Sequence, residues 1–278
     1  MSARPVIVFS HANGFPAGTY RQLFEVWRDA GFDVRALDKI GHDERYPVSL
    51  NWPHLRDQLV DFIEAKAAAP VWLVGHSLGG FLSVLAAAER PDLARGIVLL
   101  DSPLLPPMLG RAWQFAQLTG IGERFTPGAV SKRRRQNWSN AVHALQHFAG
   151  KKAFARWAPG VLQDYVDAGM EAEADGLRLG FDREIETAIY NTLPNHIARL
   201  LRRKPLQCPV AFIAGSESAE VKQVGLKMTR QVCAGRISWL EGSHLFPFER
   251  PAETAAAVLG WLHEFGAQPA AGGSTRRL

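Results

Sequence analysis

The feature that most constrains the fold is a repeated alternation of short apolar runs with helical patterns. Runs of four or five apolar residues, rich in β-branched side chains, are followed by turn residues and then by a helical stretch. This alternation is typical of buried parallel strands joined by crossover helices. We therefore predict an α/β protein with a mostly parallel sheet flanked by helices. The predicted strands are residues 6–9, 32–37, 71–74, 97–100, 210–214 and 237–240, and the predicted helices include 19–30, 52–69, 220–232 and 252–265.

The strand pattern stops in the middle of the chain. Between residues 103 and 205 the sequence carries only helical patterns, with many aromatic residues. This predicts a helical cap at 103–205, inserted between two strands of a core made of 1–102 and 206–266, and a disordered tail at 267–278. Residues 104–205 contain 15 basic and 9 acidic side chains, a net charge of +6 in a chain of net charge +5, so the insertion holds all of the basic excess.

Composition excludes several classes of protein. A net charge of +5, from 32 basic and 27 acidic residues, is too small to indicate a nucleic-acid partner. Two cysteines, Cys208 and Cys233, imply no disulfide framework and favour a reducing compartment. No apolar run approaches the roughly 20 residues of a membrane helix, and the run at 6–9 is too short for a signal peptide. We expect a cytoplasmic protein without membrane or nucleic-acid partners; the sequence does not predict its oligomeric state.

A Gly-x-Ser-x-Gly pattern at 75–79 lies between a predicted buried strand and a predicted helix. In that position the serine occupies a tight, strained turn, and Gly75 and Gly79 provide the space that the turn needs. The turn exposes the hydroxyl of Ser77 above the strand ends, and the N-terminus of the next helix directs free N–H groups at a reacting carbonyl. Ser77 is therefore the predicted nucleophile, and the N–H of Leu78 is the predicted first donor of an oxyanion hole.

With this motif in place, the chain resembles the α/β-hydrolase family, in its branch of serine hydrolases with a helical cap. The resemblance covers nearly the whole chain apart from the tail. It implies that His244 is the catalytic base, a role that suits a side chain titrating near neutrality. A serine nucleophile argues against the branches that use a carboxylate there. The other matching motifs are His-Ala-Asn-Gly-Phe-Pro at 11–16, Asp-Lys-Ile-Gly-His at 38–42, and Glu-Gly-Ser-His at 241–244 followed by Glu-Arg-Pro at 249–251.

Two positions depart from the family pattern. The family usually shows His-Gly after the first strand, whereas this chain has two extra residues, so the second oxyanion donor is the N–H of Asn13 or, alternatively, of Phe15. The usual place of the triad acid falls on Ser218, which cannot stabilise an imidazolium as a carboxylate does. The acid is then Asp101, at the end of the preceding strand, with Glu217 as the alternative.

The resemblance implies two-step hydrolysis of a carboxylic ester, or a related acyl compound, of a small and largely apolar molecule through an acyl-enzyme on Ser77. No metal or cofactor is expected. Carbon-carbon bond hydrolase, thioesterase and lactonase remain alternatives, and so does a ligand-binding sensor without turnover. The cap is expected to form the substrate pocket, with Trp113, Trp138 and His196 as candidate lining residues.

Overall fold

A computed structural model describes residues 4–67, 70–122 and 126–267 of the chain. The strands are β1 Val6–Ser10, β2 Asp33–Leu37, β3 Val71–His76, β4 Ala94–Leu100, β5 Asn137–Trp138, β6 Met170–Glu173, β7 Gly176–Leu179, β8 Val210–Gly215 and β9 Ile237–Leu240. The helices are α1 Arg21–Asp29, α2 Pro53–Lys66, α3 Leu78–Glu89, α4 Pro107–Leu118, α5 Gly128–Ser131, α6 Ala141–Ala149, α7 Val161–Gly169, α8 Arg183–Asn191, α9 Ile197–Arg203, α10 Ala219–Val224, α11 Lys227–Val232, α12 Phe246–Glu249 and α13 Pro251–Glu264.

Six strands form one parallel sheet in the order β2-β1-β3-β4-β8-β9. Successive side chains of a strand point to opposite faces, so each face can carry its own helical layer. In β1, Val8 joins the cluster that includes α2 and α3, whereas Ile7 and Phe9 join the cluster that includes α1 and α13. This three-layer arrangement confirms the predicted α/β fold.

Helix α3 is the most deeply buried helix among the described residues. All residues from Leu78 to Ala88 are buried. Its sequence, Leu-Gly-Gly-Phe-Leu-Ser-Val-Leu-Ala-Ala-Ala-Glu, is apolar on every side, which is the pattern of a helix covered by protein all round. The turn before α3 is therefore fixed by the core of the molecule.

The insertion joins two neighbouring strands of the sheet, β4 and β8, and contains α4 to α9. The expectation of purely helical patterns at 103–205 is wrong. The region also contains a three-stranded antiparallel sheet, in the order β5-β7-β6. Its strands have only two to four residues, too few for an alternating pattern to stand out, and the β6–β7 hairpin turns at Ala174–Asp175 before Gly176, which has φ 147°.

The structure differs from the prediction at 220–232 and describes one residue of the predicted tail. The helix predicted at 220–232 is two helices, α10 and α11, because Gly225 adopts a φ of 72° between them. Of the predicted tail, residues 268–278 lie outside the described residues, and Ala267 is buried, with its N–H bonded to the carbonyl of Leu262. In the described part of the chain, no helix has the length and apolar character to cross a bilayer.

Candidate active site

Ser77 lies in the turn between β3 and α3, with φ 51° and ψ −113°. A positive φ is strained for a residue with a Cβ, and it is the backbone geometry that presents a serine hydroxyl above the sheet. The turn is held by the N–H of Ser77, which donates to the carbonyl of Leu100 at 3.0 Å, and by the carbonyl of Ser77, which accepts from Gly80 and Ser102. Ser77 is partly exposed, so its hydroxyl is accessible.

The glycines around Ser77 are required by close backbone contacts. A Cβ on Gly75 would lie 2.3 Å from the backbone of Gly79, and a Cβ on Gly79 would lie 1.9 Å from the carbonyl oxygen of Ser10. Neither clash can be relieved by a side-chain rotation, because the atoms that are met belong to the backbone. The spacing in the motif therefore follows from the packing of β1, β3 and α3.

The structure brings Asp101 and His244 into direct contact. Asp101 follows β4 and His244 follows β9, and Nδ1 of His244 lies 2.7 Å from Oδ2 of Asp101. A carboxylate can only accept, so Nδ1 carries the proton and Nε2 is left unprotonated when the ring is neutral. Asp101 itself is fully buried and has a φ of 46°, so it is a second strained residue at the same edge of the sheet.

Asp101 is held by two further hydrogen bonds. The N–H of Gly215 donates to Oδ1 at 2.8 Å, and the hydroxyl of Ser218 donates to Oδ2 at 2.6 Å. Ser218 is the residue at the position where the family usually has its acid. Here it supports a carboxylate that comes from the neighbouring strand.

Glu217, the alternative acid, is not brought to His244. Its carboxylate is half-exposed and pairs with Arg156 of the insertion, at 2.6 and 3.0 Å. The structure instead places Glu220 near the imidazole, with Oε2 3.7 Å from Nδ1 of His244. Position along the chain did not distinguish these two glutamates, because the turn into α10 decides which one faces the histidine.

The surroundings of His244 shift its pKa. Burial alone would lower the pKa, but the hydrogen bond to Asp101 and the negative charges of Glu220 and Asp101 outweigh burial and raise it above the ordinary value. The imidazolium form is thus more stable here than in a free histidine side chain. Asp101, Glu220 and His244 also offer three atoms of the kind that bind metals, all within 4.8 Å of one another. The hydrogen bonds from Gly215, Ser218 and His244 already account for both oxygens of Asp101.

The candidate oxyanion donors belong to the start of α3 and to the loop after β1. Leu78 is the first residue of α3, so its N–H has no carbonyl partner within the helix. The N–H of Phe15, one of the two alternative donors, already donates to the carbonyl of Ala12 at 3.1 Å. The side chain of Asn13 is anchored by its Nδ2, which donates to the carbonyl of Glu186 at 2.9 Å.

Ser77 and His244 line one cavity of about 530 Å³. Among the described residues, their side chains are not hydrogen-bonded to each other, and such contacts are commonly longer in unliganded enzymes. The loop after β1, the loops after β8 and β9, and the insertion all contribute to the wall. The other lining residues are Ala12, Asn13, Phe15, Lys152, Ala153, Arg156, Tyr190, Glu217, Ala219, Glu220, Ser243, Leu245 and Glu249.

The three predicted substrate-binding residues lie elsewhere. Trp113, in α4, donates from Nε1 to the carbonyl of Leu193. Trp138 is buried in the apolar cluster of the insertion, and His196 precedes α9 and contacts Asn51 at 2.9 Å. None of the three lines the cavity around Ser77. We correct the prediction accordingly: the side chains that the insertion contributes are Lys152, Ala153, Arg156 and Tyr190, which sequence reasoning missed because helical spacing does not reveal which face lies over the strand ends.

The structure assigns hydrogen-bonding roles to the histidines of the other motif loops. Nε2 of His11 accepts from the N–H of Ile40 at 3.0 Å, and burial lowers the pKa of His11 to about 4. Nε2 of His42 accepts from the N–H of Asp182 at 2.9 Å, which ties the core to the start of α8. Burial lowers the pKa of His42 as well, so both rings are neutral and their hydrogen bonds join separate loops.

Comparison with known proteins agrees with this geometry. The Alpha/beta hydrolase family matches residues 7–257. Mouse (Mus musculus) monoglyceride lipase is 38% identical over 109 residues, which are 37% of this chain and 36% of the lipase. The match thus spans about a third of the length of the monoglyceride lipases. A serine hydrolase-like protein of Dictyostelium discoideum is 25% identical over 281 residues, covering 89% of this chain and 72% of that protein.

Solved structures show the same fold. The crystal structure of E-2-(acetamidomethylene)succinate hydrolase superposes with a TM-score of 0.70 at 22% identity, covering 94% of this chain and 92% of that one. The thioesterase domain from the curacin biosynthetic pathway superposes with a TM-score of 0.69 at 17% identity, covering 92% of this chain and 91% of that one. With the family match extending over most of its length, this chain belongs to the alpha/beta hydrolase family.

Proposed function

We propose that the protein is a serine hydrolase that cleaves a carboxylic ester of a small, largely apolar substrate. The observation that carries the proposal is the 2.7 Å contact between Nδ1 of His244 and Oδ2 of Asp101, in the wall of the cavity that Ser77 enters on a strained turn. Acyl transfer needs a strained serine, an imidazole that takes its proton, and a carboxylate that orients the imidazole.

In the first half-reaction, Oγ of Ser77 attacks the carbonyl carbon, and its proton passes to Nε2 of His244. The carbonyl oxygen becomes an oxyanion, which the N–H groups of Leu78 and Asn13 stabilise. The C–O bond to the alcohol then breaks, and the alcohol leaves with the proton from Nε2. Asp101 stays ionised throughout and stabilises the imidazolium.

In the second half-reaction, water replaces the alcohol. His244 takes a proton from the water, whose oxygen attacks the acyl carbon, and the oxyanion forms again in the same place. The bond to Ser77 breaks as His244 returns the proton to Oγ. The products are a carboxylic acid and the free enzyme.

The walls of the cavity support the choice of substrate. Phe15, Ala153 and Leu245 contribute apolar surface to the cavity, and charged side chains such as Lys152 and Arg156 come from the insertion. An apolar acyl group binds best against Phe15, Ala153 and Leu245. The partial likeness to monoglyceride lipases, whose name denotes an acyl ester of glycerol, is consistent with such a substrate.

The proposal is tested by labelling with a fluorophosphonate, which reacts with an activated serine. We expect the wild type to be labelled and Ser77→Ala to remain unlabelled, with p-nitrophenyl esters of increasing chain length turned over. A matched series of thioesters, lactones and carbon-carbon substrates separates the alternative hydrolases. An unlabelled wild type that still binds esters would identify a sensor and would overturn the proposal.

A further inference from the structure

Two buried polar side chains behind the cavity, Tyr20 and His76, have no role in the reaction described above. Tyr20 ends the short 3-10 turn before α1, and His76 is the last residue of β3, directly before Ser77. Both are fully buried. A buried polar group is costly unless it is hydrogen-bonded, so the partners of these two residues are informative.

The two side chains form one chain of hydrogen bonds. The N–H of Ala12 lies 3.1 Å from the hydroxyl of Tyr20, which lies 2.7 Å from Nδ1 of His76. Nε2 of His76 lies 2.9 Å from the backbone carbonyl of His244. Three bonds thus connect Ala12 with His244 through the interior of the protein.

The direction of each hydrogen bond follows from its partners. The carbonyl of His244 can only accept, so Nε2 of His76 carries a proton. Burial, together with the nearby charge of His244 when protonated, lowers the pKa of His76 well below its ordinary value, so the ring is neutral and Nδ1 is an acceptor. Tyr20 must then donate its hydroxyl proton to Nδ1 while its oxygen accepts from Ala12. Each of the three donors has one acceptor, so the direction of all three hydrogen bonds is fixed.

This chain of hydrogen bonds joins the segments that carry the proposed reacting groups. Ala12 precedes Asn13, the second oxyanion donor, and His76 precedes the nucleophile Ser77. The hydrogen bonds run from Ala12 at one end to the backbone carbonyl of His244, the proposed base, at the other. The chain therefore connects the oxyanion loop, the nucleophile strand and the histidine loop, which come from three distant parts of the sequence.

Aromatic packing holds the middle of the chain in place. The ring of Tyr20 lies 4.5 Å from that of Phe9 in β1 and 4.6 Å from that of Phe248 in α12, the helix that follows the His244 loop. The imidazole of His76 meets the edge of Phe248 at 5.9 Å. A side chain confined in this way transmits the position of one loop to another instead of rotating away.

We propose that Tyr20 and His76 are positioning residues, which hold the backbone of His244 and the oxyanion loop at a fixed separation around Ser77. This inference rests on the proposed serine hydrolase function. Neither residue touches the substrate. Their effect is on the geometry of the transition state, where a displacement of about 1 Å can reduce the rate roughly a hundredfold.

The test compares Tyr20→Phe with Trp27→Phe. Tyr20→Phe keeps the ring and removes only the hydroxyl. Trp27, in the adjacent helix α1, is equally buried, donates from Nε1 to the carbonyl of Ala255 at 3.2 Å and does not line the cavity. Both variants lose one buried hydrogen-bonding group, so both are expected to have a lower Tm.

The readouts are the rate of fluorophosphonate labelling at Ser77, and kcat and KM for a p-nitrophenyl ester. We expect Tyr20→Phe to lower kcat and the labelling rate by about tenfold to a hundredfold with little change in KM, and Trp27→Phe to leave both rates within about twofold of the wild type. His76→Phe keeps a ring but can neither accept from Tyr20 nor donate to the carbonyl of His244, and serves as a second variant if Tyr20→Phe does not fold. The double variant should be no slower than the slower single variant, because both substitutions interrupt the same chain.

The outcomes separate this inference from the proposed function. A labelled wild type together with a Tyr20→Phe or His76→Phe variant of normal kcat would overturn the inference alone. Equal losses of kcat in Tyr20→Phe and Trp27→Phe would also overturn it, because stability would then explain both. A wild type that is never labelled would overturn the proposed function and this inference with it.

Discussion

Arg156 of the insertion and Glu217 of the core are joined by two hydrogen bonds, of 2.6 and 3.0 Å, and both side chains line the cavity around Ser77. Arg156 also lies 3.4 Å from Glu249, whose carboxylate accepts from the N–H of Ser243. Ser243 precedes His244. The contact between the insertion and the core therefore reaches the loop that carries His244.

Arg156→Gln should weaken substrate binding. Without the ion pair, the wall formed by the insertion is held less firmly against the core, and contacts made equally in the ground state and transition state are lost. We expect KM to rise roughly twofold to fivefold, the scale of an exposed ion pair, with kcat little changed. Added salt should raise the wild-type KM towards that of the variant, because salt screens exposed charges.

The control for this prediction is Arg45→Gln. Arg45 forms a comparably exposed ion pair with Asp43 at 2.6 Å, and neither residue lines the cavity. Its removal should leave KM and the salt dependence of KM unchanged. Identical kinetics for Arg156→Gln and the wild type would show that the contact between insertion and core does not affect binding.

Asp101→Asn should lower kcat by about 10³-fold to 10⁴-fold, because the carboxylate holds the tautomer of the base and stabilises the imidazolium. An amide that donates to Nδ1 would stabilise the wrong tautomer of His244. Ser218→Ala should cause a smaller loss, since it removes one of the hydrogen bonds that orient the carboxylate. The measurement is single-turnover acylation by a p-nitrophenyl ester.

Glu217→Gln is the matched control for Asp101→Asn. It also neutralises a carboxylate, but this carboxylate contacts Arg156 and not the imidazole. We expect its kcat to stay within about threefold of the wild type, since it contributes no transition-state interaction. A large loss in Glu217→Gln with a small one in Asp101→Asn would place the acid in the loop after β8.

The sheet and the serine turn could be predicted because their signals are local. A run such as Val-Trp-Leu-Val at 71–74 followed by Gly-His-Ser-Leu-Gly contains both the buried strand and the backbone constraint on the turn. A position for Asp101 near Ser77 could also be predicted, because parallel strands end at one edge of the sheet and β4 is adjacent to β3.

The cavity wall could not be predicted in the same way. Trp138 was expected in the pocket because it is large and aromatic, yet it packs against Phe148 in the insertion's own core. Tyr190 lines the cavity, although nothing in its helical pattern distinguishes it from the other aromatic residues. The difference is made by how the insertion docks on the sheet, which depends on contacts far apart in sequence, such as that between Asn13 and Glu186.

Glu220→Gln should shift the pH dependence of activity. In the proposed mechanism the neutral imidazole of His244 is the base, so kcat/KM should rise with pH through the pKa of His244, which lies above its ordinary value. Glu220 is one cause of that elevation, besides Asp101. Its neutralisation lowers the pKa, so the acid limb of the profile should move to lower pH and the activity at acidic pH should increase.

Glu217→Gln again provides the control, because its charge is paired with Arg156 and does not raise the pKa of His244. Its profile of kcat/KM against pH should keep the wild-type midpoint, at a lower height because the loss of the ion pair raises KM. Superimposable profiles for Glu220→Gln and the wild type, or equal shifts in both glutamine variants, would contradict the assignment of Glu220.

Tyr190→Ala should change the preferred acyl chain length. Tyr190 extends from α8 into the cavity, where it limits the space available to the substrate. Each buried methylene contributes about 0.8 kcal/mol, so kcat/KM should rise roughly fourfold per added carbon until the cavity is filled and then fall. Removing the tyrosine ring moves that fall to longer chains. Trp113→Ala deletes a larger ring of the insertion that does not line the cavity, and its optimum should stay where the wild type has it. A shift in Trp113→Ala without one in Tyr190→Ala would show that the acyl group occupies a different part of the insertion.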